Sequence, residues 1–569
     1  MNMNKRIIIS AFVLASLGLT TSCKKLKDQL QVGNPNAPTL QDNVKDLKGL
    51  VALTKGGTYF NGFRDNMGWL GDSYFNLPWN YHELMGDNTC GGEGSNNQTT
   101  TIGVPDWIEL DGTPATKQVN SSPQVQVIRT YNNRSATGNA NNALYYEWAS
   151  SYQLNGVLNV VLARAQELAD GGKINDTQLK TVQTWCHFWK GFAYSNIGTM
   201  YYGGIINDAT FAIVPDYVSH DAMVTAGTAE YDKAATLLGG LSDGGDYADV
   251  LGQLIPSFCQ VGRGVPMKTA EWKALINTLK ARNILLNHLS PFVNGNTAAT
   301  VSGSSMAAIS AADWATIKTL TDAGITSNNQ AVFAGRTTDV NNFFSVNGGS
   351  VGAYLTGKNT TTGEKVSERL IQNFAPTDKR LTDNFNTNTA FTNAYSFTTR
   401  YSLQDAHDTK WPSGAIAYGT RDIGGYELLM AGSYEENALM GAEARIRTGD
   451  IAGGMALINA VKAAQGAGVT ATAATAADAM TELVKERRVA LAFRGLSFFD
   501  LRRWGWTYDV SKGGGAYKQT IVLPGSSGLD VYPNATISYN YMDYWDVPGD
   551  ETELNPATSG SEWLKNPNF

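Results

Sequence analysis

The stretch FNLPWNYHELMGDN, residues 75–88, concentrates residue types that can bind sugars. Trp and Tyr rings stack on the apolar C–H faces of a sugar, and Asn and Asp side chains hydrogen-bond its polar edges. Two aromatic residues lie two apart here, so we expect them to face one side of an extended segment. The predicted ligand platform is Trp79, Asn80, Tyr81, Asp87 and Asn88.

Further aromatic residues lie in long segments that lack helical periodicity. These segments are rich in Gly, Asn, Thr and Ser, and loops of such length are usually functional or disordered. Their aromatic content favours ordered, functional loops. We add Trp411, in the segment 382–417, to the predicted ligand-binding residues. Loop aromatics also suit peptides, so a peptide is the alternative ligand.

The sequence patterns that could support catalysis are incomplete. Residues 348–352 read GGSVG, but Gly and Asn neighbours replace the strand and helix that a nucleophile elbow requires. Residues 352–359 end in Asn where a phosphate-binding loop needs Ser or Thr. We therefore expect no enzyme, cofactor or metal site. A hydrolase stays an alternative, because the carboxylate spacing of a glycoside hydrolase is spatial and does not appear in sequence.

The N-terminus has the pattern of a lipoprotein signal peptide. Lys5 and Arg6 precede a mostly apolar run over 7–20, which at 14 residues is shorter than the roughly 20 needed to span a bilayer. Small residues then lead to Cys23. We predict a signal peptide over residues 1–22, acylation of Cys23, and a polar tether over 23–40.

Composition excludes several classes of protein. With 44 Lys and Arg against 51 Asp and Glu, the net charge is −7, which leaves no basic excess for binding nucleic acid. Hydrophobic residues make up 42% of the chain, so a folded core is expected. Cleavage before Cys23 leaves Cys90, Cys186 and Cys259, an odd number that argues against a disulfide framework.

Helical periodicity recurs in pairs, as in tetratricopeptide-type repeats, although without a regular 34-residue period. The pattern predicts helices around 144–158, 181–202, 272–286, 307–323 and 434–448. Gly449 is a suitable residue to follow a helix, and Asp450 should cap the next one, which runs to about 464.

Residues 482–505, ELVKERRVALAFRGLSFFDLRRWG, combine apolar and charged residues at helical spacing. Arg487 falls on the apolar face and needs a carboxylate, for which Asp500, Glu486 and Glu482 are candidates. Arg502 and Arg503 form either an anion site or a buried ion-pair lattice. Because core aromatics alternate with these charges, we favour the lattice.

This stretch closely resembles the C-terminal hallmark of the SusD/RagB family. Four further stretches resemble that family: YEENALMGAEARIRTGDIAGGMALINAVKAAQG (434–466), AEWKALINTLKARNILL (270–286), APTDKRLTDNF (375–385) and LNPATSGSEWLKNPNF (554–569). With the lipoprotein signal, the resemblance extends over nearly the whole chain.

The resemblance implies a mainly α, SusD-like fold, with tetratricopeptide-like helix pairs packed against an irregular, loop-rich half with few short strands. It implies a globular domain over 41–569, with an N-terminal part at 41–265 and a C-terminal part at 266–569. It also implies a non-catalytic lipoprotein, facing the exterior from the outer membrane. Such a protein captures oligosaccharides, or alternatively peptides, for a SusC-like TonB-dependent transporter.

Overall fold

A computed structural model describes most of the chain beyond the predicted tether. The predicted signal peptide, Cys23, the tether over 23–40 and Trp411 lie outside the described residues. The described residues are 43–58, 77–90, 102–111, 116–118, 129, 132, 143–255, 266–288, 309–330, 332–336, 365–392, 398–403, 427–510, 513–558 and 563–567.

The N-terminal half is built from helices that pack on their neighbours in sequence. Helix α3 (Ala143–Asp170) packs on α4 (Asp176–Met200), and α5 (His220–Gly239) also packs on α4. Between α3 and α4 the chain turns at Gly172, whose φ is +66°. Asn175 then starts α4 with a capping box that includes Gln178. The helices are α1 (Leu47–Lys55), α2 (Leu77–Met85), α3 (Ala143–Asp170), α4 (Asp176–Met200), α5 (His220–Gly239) and α6 (Gly245–Leu254).

The C-terminal half continues the same arrangement, and the predicted helices are confirmed. Gly449, with a φ of +94°, ends one helix, and the Asp450 carboxylate accepts from the Gly453 amide to cap the next. The helices are α7 (Thr269–Leu286), α8 (Ala311–Asp322), α9 (Glu368–Ile371), α10 (Lys379–Asn384), α11 (Tyr434–Arg447), α12 (Ile451–Ala464), α13 (Ala476–Ala490), α14 (Ser497–Arg503) and α15 (Gly549–Leu554).

Most of the described strands are short, and they form small antiparallel sheets. The strands are β1 (Thr89–Cys90), β2 (Trp107–Glu109), β3 (Thr116–Gln118), β4 (Gly203–Gly204), β5 (Val218–Ser219), β6 (Phe333–Arg336), β7 (Lys365–Val366), β8 (Phe385–Thr392), β9 (Thr398–Leu403), β10 (Glu427–Ala431), β11 (Ala516–Gly525) and β12 (Gly528–Ser538). The largest sheet has four strands in the order β11-β12-β2-β3, and the pairs β1-β7, β4-β5, β6-β10 and β8-β9 form separate two-stranded sheets. The fold is thus mainly α with few short strands, as predicted.

Two large apolar cores lie under these elements. One is centred on α4 and α7, where Trp185, Trp189, Trp272, Phe188 and Phe333 pack edge to face or tilted. The other joins α2 to the C-terminal helices and to the tail beyond β12. Helix α2 is therefore packed against residues more than 400 positions away in sequence, as well as against α3.

Among the described helices, none combines the length and the apolarity required to cross a membrane.

His220, the first residue of α5, joins that helix to the C-terminal tail. Its ring is fully buried and stacks on Tyr544, with the ring centroids 3.9 Å apart. Burial, together with the positive charge of Arg502, lowers the pKa of His220 to about 3. The folded protein therefore holds this imidazole neutral at pH values where the unfolded chain protonates it.

This depressed pKa predicts a pH-dependent stability. A buried neutral histidine contributes stability above the unfolded pKa of about 6.5, and that contribution is lost as the pH falls toward about 3. Substituting His220→Phe keeps a stacking ring and removes the titration. Between pH 7 and pH 5 the wild type should lose about 2 kcal/mol more unfolding free energy than the variant. Urea unfolding at both pH values measures this, and parallel losses would refute the assignment.

Candidate functional site

Trp79, Asn80 and Tyr81 lie on helix α2, and Asp87 and Asn88 follow its end, so the expectation of an extended segment is wrong. Leu77, Tyr81, Leu84 and Met85 recur at helical spacing, and the last three are core residues. Burying Tyr81, Leu84 and Met85 on one face selects a helix over a strand. At 3.6 residues per turn, Trp79 and Tyr81 point about 200° apart and cannot form one flat platform.

Three of the predicted ligand residues have structural contacts in the interior. Tyr81 is 1% exposed and belongs to the core that joins α2 to the C-terminal helices. Asp87 is buried and accepts two hydrogen bonds of 2.6 Å from the Arg369 guanidinium. Burial acts to raise the pKa of Asp87, but Arg369 outweighs it and holds that pKa below its usual value. Asn88, also buried, donates to the Glu83 carboxylate at 2.9 Å.

Trp79 is a predicted platform residue whose side chain is partly exposed. Its side chain is half-buried and packs on the backbone of Gly495. A Cβ added at Gly495 would lie 2.6 Å from Trp79 Cγ, and the φ of Gly495 is +71°. Only glycine tolerates both conditions. Asn80 lies beside it in α2.

The turn that carries Gly495 holds α2 through the carboxylate of Glu83. Glu83 is fully buried and accepts from the backbone amides of Phe493 at 2.9 Å and Gly495 at 2.8 Å. Burial raises the pKa of Glu83, while the hydrogen bonds from Asn88, Phe493 and Gly495 act to lower it. These bonds fix α2, and hence Trp79, to the stretch 486–505.

His82 adds a second connection from α2 to the same turn. Its Nδ1 lies 3.0 Å from the carbonyl oxygen of Gly495, and its Nε2 lies 3.2 Å from the Glu147 carboxylate on α3. The Ser497 hydroxyl donates to the His82 carbonyl at 3.0 Å. Helix α2 is thereby fixed to both α3 and α14.

The predicted ion-pair lattice is confirmed for Arg487 and Arg503. Arg487 Nε donates to Asp500 at 2.9 Å, and Arg503 bridges Asp500 at 2.8 Å and both oxygens of Glu443 at 2.8 and 2.7 Å. All four side chains are buried. Asp500 is therefore the carboxylate that Arg487 requires.

Arg502 differs from this prediction, because its partners are backbone carbonyls. It donates to Thr199, Asp543 and Leu286 at 2.7 to 2.8 Å, and its guanidinium lies 4.4 Å from the centroid of the Tyr544 ring. A helix C-terminus offers such carbonyls without a neighbouring carboxylate. Arg502 thus joins α4, α7 and the tail, which rules it out as an open anion site.

Trp79 lines a shallow cleft bordered by two ion pairs. Arg282 donates two bonds of 2.5 Å to the two oxygens of Glu436, and Arg494 donates to Glu435 at 3.0 Å and to the Ser433 hydroxyl at 2.8 Å. Because each guanidinium is matched by a carboxylate, the border has no net charge. The cleft encloses about 40 Å³ and is lined by Trp79, Phe192, Asn196, Arg282, Leu429, Gly432, Ser433, Glu436, Arg494 and Leu496.

An inner pocket of about 40 Å³ adjoins this cleft and shares Phe192, Asn196, Arg282 and Leu496 with it. His82, Glu147 and Ser195 are among its polar lining residues. At roughly 10–15 Å³ per water, each cavity has room for about three water molecules. A ligand at Trp79 must therefore lie over the cleft and contact its mouth.

The geometry favours binding over chemistry. An indole face beside guanidinium, carboxylate, amide and hydroxyl groups offers one apolar surface and several hydrogen-bonding groups. Among the described residues, no three His, Cys, Asp or Glu side chains come together in a way that could hold a metal ion. Sequence reasoning missed Arg282 and Glu83. For Glu83 a signal was present, since a carboxylate directly before two core residues of a helix requires a buried partner.

Comparison with known proteins agrees with this architecture. The model of the SusD family matches residues 434–563. A SusD superfamily protein from Parabacteroides distasonis is 12% identical with a TM-score of 0.52, and the match covers 90% of this chain and 97% of that one. A SusD superfamily protein from Bacteroides vulgatus is 12% identical with a TM-score of 0.51, covering 91% and 99%.

Surface glycan-binding protein A from Bacteroides uniformis has the same overall similarity. It is 12% identical with a TM-score of 0.51, and the match covers 91% of this chain and 99% of that one. The search of curated proteins found no match. At these identities the structural similarity establishes the fold.

The lattice around Asp500 yields a stability prediction. Substituting Asp500→Ala leaves Arg487 and Arg503 buried with a lost partner, which costs about 3–5 kcal/mol. The melting temperature should fall markedly, as measured by circular dichroism. As a control, Asp450→Ala removes an exposed helix cap and should cost only about 1 kcal/mol. A fully stable Asp500→Ala protein with impaired ligand binding would instead place Asp500 in a binding site.

Proposed function

We propose that this chain, whose fold is SusD-like and whose residues 434–563 match the SusD family model, captures oligosaccharides at the outer surface of the cell without altering them chemically. In this proposal it is anchored in the outer membrane by acyl chains on Cys23. It passes its ligand to a SusC-like TonB-dependent transporter. The region around Trp79 is the proposed contact surface, with Asn80 beside it and Trp411 as a further contact.

The Trp79 cleft is the observation that carries the proposal. A half-buried indole borders two Arg–carboxylate pairs, so the surface has hydrogen-bonding groups but no net charge. A neutral sugar matches this surface, since it presents apolar C–H faces together with hydroxyl edges. A strongly ionic ligand would have to break one of the pairs and leave a charge unmatched.

The relative named as a surface glycan-binding protein supports the choice of ligand class. It is a similar fold that its name describes as binding glycans, and this chain matches it over 91% of its length. A peptide remains the alternative ligand, because indole rings and paired polar groups also bind peptides.

The state of the cleft carboxylates supports a role without catalysis. A glycoside hydrolase needs a carboxylic acid that can give up a proton near neutral pH, which requires a raised pKa. Burial acts to raise the pKa of Glu435, but Arg494 outweighs it and the pKa lies below its usual value. Glu436 is held by two bonds from Arg282. Neither carboxylate is placed to act as a general acid.

The main test removes the indole. Trp79→Ala should weaken oligosaccharide binding roughly ten- to hundredfold, since a stacked ring contributes on the order of 1–3 kcal/mol by analogy with base stacking. Titration calorimetry against a panel of oligosaccharides and a pool of peptides measures the effect. The control is Trp563→Ala, another half-buried indole that does not line the cleft.

The outcomes of this titration are distinct. Equal oligosaccharide affinity in wild type and Trp79→Ala would remove Trp79 from the site. Binding of peptides with no binding of oligosaccharides would refute the glycan proposal. Product formation during the titration would show a hydrolase.

The anchor is tested separately. Cys23→Ser removes the thiol that accepts the lipid, so the protein should leave the membrane fraction and appear in the soluble fraction. A single acyl chain binds membranes only weakly, and stable anchoring needs more than one. Fractionation after a high-salt wash, followed by immunoblotting, measures the distribution. Retention of the Cys23→Ser protein on washed membranes would contradict lipid anchoring.

A further inference from the structure

Helix α11 borders a second cavity on a different face from the Trp79 cleft. Ser433 and Glu436, at the start of the helix, line the cleft, whereas Tyr434, Ala438 and Gly441 line the second cavity. This cavity encloses about 240 Å³ and lies between α8, α11 and α12. It is six times larger than the cleft and has far more room than the roughly 10–15 Å³ that one water requires.

The walls of this cavity are mostly apolar and include one aromatic ring. Ile325, Ala438 and Leu457 contribute aliphatic surface, and Tyr434, which is half-buried, contributes its ring. Gly441 has no side chain, so the backbone of α11 lies close to Thr321 and Arg445 at one wall of the cavity. A Cβ there would lie 2.9 Å from Thr321 Oγ1 and 3.2 Å from Arg445 Nη1.

The polar groups at the cavity are already matched to one another. Arg445 pairs with Asp322 across the gap between α11 and α8. The Asn437 side chain donates to the Thr321 carbonyl at 2.9 Å and accepts from the Thr278 hydroxyl at 2.8 Å. The cavity therefore presents no unmatched charge, and an anion or a cation has no counter-charge to bind.

We propose that this cavity is a second ligand site, which binds one ring of a neutral saccharide. The volume suits a single ring, Tyr434 and Leu457 offer an apolar surface for its C–H face, and the Arg445–Asp322 pair can share hydrogen bonds with its hydroxyls. The choice of ligand class rests on the proposed function. The location does not, because the residues involved are separate from those at Trp79.

The two sites lie on one rigid helix. Ser433 caps α11 by accepting from the Glu436 amide, and the same Ser433 hydroxyl accepts from Arg494 at the cleft. The next residue along the helix, Tyr434, lines the second cavity. Two sites of this kind increase the capture of a polymer by avidity, since binding at one raises the effective concentration at the other.

The test is saturation-transfer NMR with methyl glycosides of glucose, galactose, mannose, xylose and N-acetylglucosamine. It uses the full protein with Trp79→Ala, so that a signal from the cleft is suppressed. At least one glycoside should give a signal that falls at least fivefold in Tyr434→Leu, which keeps an apolar contact and removes the ring. Leu457→Trp should abolish the signal as well, because a larger side chain from a partly exposed position fills the cavity.

The control is Tyr532→Leu, a half-buried tyrosine on strand β12 that does not line the cavity, and its signal should be unchanged. Thermal melts confirm that each variant is folded. The second site would be refuted if no glycoside gave a signal, or if the signal were the same in Tyr434→Leu and Leu457→Trp as without these substitutions. A Tyr434-dependent signal from N-acetyl-leucinamide alone would replace the saccharide by an apolar peptide side chain.

These outcomes are separable from those for the proposed function. Oligosaccharide affinity that depends on Trp79 alone supports the proposed function and refutes the second site. A Tyr434-dependent glycoside signal without any effect of Trp79→Ala on oligosaccharide affinity supports the second site and moves the primary surface away from Trp79.

Discussion

The buried carboxylate of Glu83 is the contact on which the arrangement of the site depends. It accepts from the amides of Phe493 and Gly495, so a residue of helix α2 closes a turn that lies more than 400 positions later in the chain. Removing a carboxylate from water is costly, and the cost is offset only where donors are already in place. The turn between α13 and α14 provides those donors, because its backbone amides are not used within a helix.

The same turn gives Trp79 its position. Gly495 has to be glycine because its φ is positive and because the indole occupies the space of a Cβ. The helices on either side of the turn are fixed by Arg487, Asp500, Arg503 and Glu443, all of them buried and paired. Leaving one member of such a buried ion pair without its partner costs considerable free energy. Conformations of the turn that would separate the partners are therefore disfavoured.

These constraints shape the surface at Trp79 that we propose as the binding site. The cleft at Trp79 has room for only a few waters, so a ligand bound there as proposed would contact a surface whose hydrogen-bonding groups are fixed in advance. Arg282 and Arg494 are fixed by Glu436 and Glu435, and little side-chain freedom remains to be lost on binding. Because this surface is neutral, the proposed binding would depend on the shape and hydrogen bonding of the ligand.

The sequence by itself determined the helices and the character of the C-terminal stretch. Helix caps such as Asp450 depend on neighbours only a few positions away, and so does the periodicity of apolar residues. Both can therefore be recognised in the sequence without knowledge of the fold. The sequence also predicted that Arg487 requires a carboxylate, because an arginine on an apolar helix face is seldom buried without a charged partner. Asp500 lies 13 positions away and was among the candidates.

Only the tertiary structure decided which of the polar and aromatic residues around α2 face outward. The sequence placed Trp79, Tyr81, Asp87 and Asn88 together, but Asp87 pairs with Arg369, some 282 positions away, and Tyr81 packs into the core. Local spacing also favoured an extended platform, whereas burial of Tyr81, Leu84 and Met85 imposed a helix. The physical reason is that exposure depends on partners distant in sequence, and no local pattern specifies which of them will cover a side chain.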